Sequence, residues 1–132
     1  MTEVALTPAA LKMIEGKNFA HLATVNKDGS PQVSPVWIAM KDGKIMINTA
    51  EGRLKTLNMH RDPRVGISIA DNDNPYNKAV IRGRVVEMTH DGADADIDSL
   101  AKKYMGVDVY TMHTDAEQRV TVLISPEKVS AD

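Results

Sequence analysis

The stretch Phe19-Ala20-His21-Leu22-Ala23-Thr24-Val25 followed by Asn26-Lys27-Asp28-Gly29 decides the fold class. A strand-like run ends in a group of turn formers, which is a hairpin signal. The return strand is Val33 to Met40. Pro35 removes a ladder donor inside it, so this segment belongs at a sheet edge or a bulge. Lys41-Asp42-Gly43-Lys44 is a second turn, and Ile45 to Thr49 a third strand.

Outward from this unit, the pattern continues in the same style. Upstream, Thr7 caps a helix with Pro8 in its first turn, where a missing N–H costs nothing. Leu11 and Ile14 share a face there, and Gly16 stops it. Downstream, a short helix fits Glu51 to Arg61, with Leu54 and Leu57 toward the core, and Asp62-Pro63 ends it. Val65 to Ala70 alternates as a strand, and Asp71 to Pro75 is a loop by composition. Ala79 to Met88 is a long strand containing Gly83. Asp91 caps a helix carrying Ile97, Leu100, Ala101 and Tyr104 on one face, and Arg119 to Ser125 is the last strand. Six strands joined by tight turns favour antiparallel pairing in a small closed or split barrel. The class is mainly β, with few helices. No repeat, low-complexity segment or long linker divides the chain, so residues 1–132 read as one domain.

Composition sets outer limits. Of 132 residues, 42% are hydrophobic and 26% charged, as in ordinary globular proteins. Apolar runs are too short for a transmembrane helix, so no membrane role is expected. The segment Met1 to Leu11 lacks the basic-then-apolar order of a signal peptide, which points to a cytosolic (cytoplasmic) protein. A net charge of −2 disfavours nucleic acid as a partner. Without cysteine there is no thiol nucleophile and no zinc–cysteine cluster. The aromatic residues are only Phe19, Trp37, Tyr76, Tyr104 and Tyr110, so a flat ligand has few rings to stack on.

Side-chain chemistry is equally sparse. There is no Gly-x-Ser-x-Gly elbow and no glycine-rich nucleotide loop. His21, His60, His90 and His113 show no metal-ligand spacing, so no metal is expected. An enzyme built this way borrows its chemistry from a bound cofactor and needs no catalytic side chain of its own.

Three stretches carry binding information. Thr49-Ala50-Glu51-Gly52-Arg53-Leu54-Lys55-Thr56-Leu57-Asn58 leaves a strand and enters a helix with two cations in its first turn. Cations at that end oppose the helix dipole, so either the face is merely solvated or a bound anion offsets the cost. Two or three charge-assisted hydrogen bonds supply about 5–8 kcal/mol, whereas micromolar binding needs about 8. The ligand therefore needs a flat or apolar part as well. In Gly29 to Trp37, Gln32 and Ser34 alternate with Val33 and share a face with Val36, and Pro35 leaves neighbouring backbone groups free. Trp37 reads equally as a core or interface aromatic. Asp73 to Lys78 is either a polar hairpin or a contact loop. The acidic run from Glu87 to Asp98 reads as a solvated face, and His21 as structural.

At these stretches the chain resembles the flavin/deazaflavin oxidoreductase superfamily, the split β-barrels related to pyridoxamine 5'-phosphate oxidase, and within it the small reductases that use coenzyme F420. The matching text runs from His21 to Trp37, from Thr49 to Asn58, through Arg61-Asp62-Pro63-Arg64, from Asn74 to Gly83, and to Ile124-Ser125-Pro126-Glu127-Lys128-Val129. The resemblance implies a six-stranded antiparallel split β-barrel of the FMN-binding type, and a homodimer with cofactor sites at the subunit interface. Arg53 and Lys55 would hold the cofactor phosphate, with Leu54 and Asn58 alongside. Gln32, Ser34, Pro35, Val36 and Thr49 would line the tricyclic ring, and Tyr76 and Asn77 would approach from the partner subunit. Lys17, His60 and Arg61 would meet a glutamate tail. The implied reaction is hydride transfer from reduced deazaflavin to an unsaturated or quinone-like small molecule. An FMN-binding redox protein and a non-catalytic flavin or deazaflavin carrier are the alternatives. Oxidation of pyridoxamine phosphate is not expected, because the chain lacks the basic residue and the Trp-Arg segment of those oxidases.

Overall fold

The structure, a computed structural model, describes residues 3–112, 114 and 116–131; His113 lies outside them. The elements in order are α1 (Pro8–Glu15), β1 (Ala20–Val25), β2 (Pro31–Val36), β3 (Ala39–Lys41), β4 (Lys44–Ala50), α2 (Leu54–Arg61), β5 (Arg64–Ala70), β6 (Lys78–Thr89), α3 (Ala93–Met105) and β7 (Arg119–Ala131). All seven strands join one antiparallel sheet in the order β2-β1-β5-β6-β7-β4-β3. Its two edges, β2 and β3, are consecutive in the chain and joined only by Trp37 and Ile38. That link curls the sheet into a split barrel with a seam.

The strand expected over 33–40 is thus two strands, and the count is seven rather than six. The ladder lapses at Trp37 and Ile38 because the Ile38 N–H turns to the Tyr104 hydroxyl, 3.2 Å away. Pro31 and Pro35 lie on the edge strand β2, where a missing donor is tolerated.

The turns obey their chemistry. The β3–β4 hairpin places Asp42 at φ 53° and Gly43 at φ 77°, the left-handed pair that a tight two-residue turn requires. Thr7 Oγ1 accepts from the Ala10 amide at 3.1 Å, as a helix cap should. α3 departs from expectation: its N-cap is Gly92 at φ 75°, not Asp91. Of the acidic run, Glu87, Asp91 and Asp94 are exposed as expected, but Asp96 accepts from Lys41 Nζ and from Thr121 Oγ1, both at 2.6 Å.

Val, Ile, Leu, Met and Ala fill the barrel, with Ile14, Leu22, Ile38, Ile47, Ile69, Ile81 and Ile124 almost fully buried. A second, smaller cluster sits outside the sheet, where Ile97, Leu100 and Tyr104 of α3 cover Met46 and Leu123. β4 and the first half of β7 are therefore buried on both faces.

α2 reverses its expected face. Leu54 is 54% and Leu57 52% exposed, while Thr56, Asn58 and Met59 are buried. The inward positions are polar because the sheet offers them partners. Thr56 Oγ1 donates to the Ala50 carbonyl at 2.7 Å, and Asn58 Nδ2 donates to Thr24 Oγ1 at 3.0 Å.

Candidate functional site

A cleft opens where the seam, the start of α2 and the start of β7 converge. One side is apolar: Phe19, Pro35, Val36 and Trp37, with Ile97 and Met112. The other side carries Arg53, Lys55 and Arg119, with Asn48 on the floor. Four of the chain's five aromatic residues gather beside it. Tyr104 stacks on Trp37 with centroids 5.3 Å apart and on Phe19 at 5.6 Å, and Tyr110 meets Trp37 edge-on at 6.1 Å. The rings are few, but the fold concentrates them where a flat ligand could use them.

The turn from β4 into α2 builds the polar side. Arg53 occupies the N-cap of α2, and no side chain caps that helix. The first-turn amides are thus without a side-chain acceptor and open to an anion. Lys55 Nζ reaches across to Ser34 Oγ at 3.3 Å, tying α2 to β2. Burial first, and then the guanidinium groups of Arg53 and Arg119, push the Lys55 ammonium below its ordinary range. Arg119, whose side chain is 4% exposed, donates from Nε to Asn48 Oδ1 at 2.9 Å and lies 5.4 Å from the Tyr110 ring. Among the described residues one carboxylate pairs with these cations: Glu117 meets Arg53 at 2.6 Å and Arg119 at 3.2 Å. Burial works against its charge, but the two arginine bonds outweigh burial and hold the carboxyl below its usual range. Among the described residues, three cations stand against one carboxylate at the cleft.

The expected site residues divide into groups. Pro35, Val36, Arg53 and Lys55 line the cleft, and Ser34 touches it through Lys55. Gln32 and Asn58 meet through Thr24, which accepts from Asn58 and donates to Gln32 Oε1 at 2.6 Å. Asn58 also donates to Asn26 Oδ1 at 2.9 Å and is 1% exposed, so this network braces α2 against the β1–β2 hairpin. Thr49 is fully buried, its hydroxyl 3.0 Å from that of Thr56, and it does not line the cleft. Leu54 points to solvent. Tyr76 is 87% exposed on the β5–β6 loop, and Asn77 lies there beside a separate groove that also includes Lys17. His60 pairs with Glu51 at 2.9 Å, Arg61 donates to the Val25 carbonyl, and His21 is exposed on β1.

Arg119, Asn48 and Glu117 did not stand out in the sequence, and Tyr110 did so only as one of five aromatic residues. The one available signal was an arginine heading a strand whose next residues are all apolar or small, Val120 to Ser125. A charge at the start of a buried strand needs a partner or a task.

Comparison with known proteins bears on these features. A family model for pyridoxamine 5'-phosphate oxidase matches residues 6–131. Among solved structures, an F420 reductase is 30% identical with a TM-score of 0.79, covering 90% of this chain and 94% of that one. A conserved hypothetical protein from Mycobacterium tuberculosis is 22% identical with a TM-score of 0.73, covering 99% of this chain and 87% of that one. The heme storage protein HutZ of Vibrio cholerae is 13% identical with a TM-score of 0.67, covering 97% and 95%. The last two are likenesses of fold alone.

Proposed function

The chain belongs to the pyridoxamine 5'-phosphate oxidase family, and from that premise we propose that it is a coenzyme F420-dependent reductase acting on an unsaturated or quinone-like small molecule. Its relation to flavin- and deazaflavin-using oxidoreductases rests on the family and on the 30% identical F420 reductase. The observation that carries the finer reading is the cleft's two-sided chemistry. A positive, uncapped helix start with a desolvated Lys55 stands opposite an apolar and aromatic wall. That combination suits a ligand with an anionic handle and a flat redox ring.

Arg53 and Lys55 grip the phosphate, Arg53 as a planar fork and Lys55 as a point charge. Grip by Arg53 draws it away from Glu117, which Arg119 retains. Pro35, Val36 and Trp37 hold the ring and keep water from one face. The bound coenzyme supplies the hydride. Arg119, held at the cleft floor by Asn48 Oδ1, supplies the positive charge that stabilises negative charge on the accepting substrate.

The size of the cleft supports two copies of the chain per site. The cleft measures about 210 Å³, below the roughly 300–1,000 Å³ of sites that enclose a small ligand. A second copy bringing Tyr76 and Asn77 of the partner subunit would complete it. Leu54, Leu57 and Val33, all more than half exposed, offer apolar surface for that contact.

Fluorescence titration with the deazaflavin, with FMN as competitor, tests the coenzyme. Tight binding of FMN with none of the deazaflavin overturns the proposal in favour of an FMN protein. Steady-state oxidation of the reduced coenzyme with quinone, enone and nitro acceptors tests turnover. Binding without turnover across that panel marks a carrier.

A further inference from the structure

We propose that Lys103 and Tyr104, neither of which lines the cleft, are the positioning residues of its aromatic wall. They hold the Trp37–Ile38 seam from behind, and the charge state of Lys103 is felt at Trp37. The proposal rests on the geometry of the seam and not on which coenzyme fills the cleft.

The β2 ladder stops at Val36 and β3 resumes at Ala39, so strand pairing does not fix the two residues between. The last turn of α3 does so instead. The Tyr104 hydroxyl donates to the Asn18 carbonyl at 2.6 Å and accepts from the Ile38 N–H at 3.2 Å. Lys103 Nζ donates to the carbonyls of Ile14 and Ile38, both at 2.6 Å. Four bonds from two neighbouring side chains thus join the end of α1, the α1–β1 link and the seam. The Tyr104 ring transmits the restraint, because Trp37 lies on it with an interplanar angle of 5°.

Lys103 Nζ sits 4.9 Å from the Tyr104 ring centroid, close to the stacked rings. From α1 the Glu15 carboxylate faces it, from α3 the Tyr104 phenol, and from the seam a carbonyl. Burial pushes the Lys103 ammonium down to about 8, and Glu15 opposes this only partly. Charge-assisted bonds are roughly twice as strong as neutral ones. Loss of the proton therefore slackens the hold on Ile38 while the phenol, raised by its own burial, stays neutral.

Trp37 is the chain's single tryptophan, so its emission reads the wall directly. The experiment uses the whole ligand-free protein, with Trp37 emission and acrylamide quenching followed from about pH 6.5 to 9, a full unit below the ordinary phenol value of about 10. The expected wild-type result is one transition centred near pH 8, with quenching higher on the alkaline side. In K103R the transition is lost and the acid-side value persists. In K103M it is lost and the alkaline-side value persists. Y104F raises quenching at every pH. A wild type without the transition, or a transition surviving in K103R, overturns the role of Lys103 even where K103M fails to fold. Unchanged quenching in Y104F overturns the role of Tyr104. Because no ligand is present, these outcomes are independent of the coenzyme titration.

Discussion

Lys55 carries its charge where solvent is reduced and two guanidinium groups stand nearby, an arrangement that folding alone does not favour. A bound dianion would relieve it. Replacing Arg53 and Lys55 by alanine is expected to weaken coenzyme affinity by at least about tenfold, since each charge-assisted bond is worth about 1.5–3 kcal/mol. The thermal midpoint should stay near that of wild type, and equal affinity in a titration of the double variant would end the phosphate assignment. Asn58, one turn further on, should behave in the opposite way. Its amide bridges Thr24 and Asn26 in a buried site. Asn58→Ala is expected to cost about 1–3 kcal/mol in urea unfolding, because buried partners lose their bonds. The sequence grouped these residues by helical spacing. It could not show that Asn58 faces inward, because its partners lie more than 30 positions away in another hairpin.

The elements were legible wherever local chemistry decides them. The hairpin turn at Asp42-Gly43, the cap at Thr7 and the stop at Asp62-Pro63 all lie as expected. α2 was misread in its orientation because leucines ordinarily point inward. Its threonine and asparagine do so instead, since carbonyls and hydroxyls wait for them on the sheet, and the leucines are left outside beside the cleft. Leu54→Asp with Leu57→Asp is therefore expected to leave a folded monomer. A dimer persisting in sedimentation of that variant would show that α2 does not form the proposed subunit contact. β6 supplies a second element-scale test. At Gly83 the register against β7 shifts, and a Cβ there would lie 2.8 Å from both Ile124 Cγ2 and the Ser125 carbonyl oxygen. Gly83→Ala should destabilise by about 1–3 kcal/mol, as overpacking does, visible as a lower thermal midpoint.

For the molecule as a whole, the seam was the feature least open to sequence reasoning. Val33 to Met40 reads as one strand because nothing local announces that Tyr104, more than 60 residues away, takes the Ile38 amide. The seam also carries a pH signature. Burial pushes the Lys103 ammonium in the folded protein down to about 8 from its ordinary 10.5, which the unfolded chain restores. Between those values the unfolded chain keeps a proton that the native one has released, so this group's contribution raises stability as pH rises. A urea midpoint that climbs from about pH 8 to 10 more in wild type than in K103M is expected, and parallel curves would contradict it. The strand order has a further consequence, for biosynthesis. β7 is sandwiched between β6 and β4 although both precede it in the chain. As the polypeptide leaves the ribosome, β2-β1-β5-β6 and β4-β3 have no strand to bridge them until β7 follows. The barrel stays open, its inner isoleucines wet, until Arg119–Ala131 has cleared the exit tunnel, which makes this a chain that closes after translation has passed its last strand.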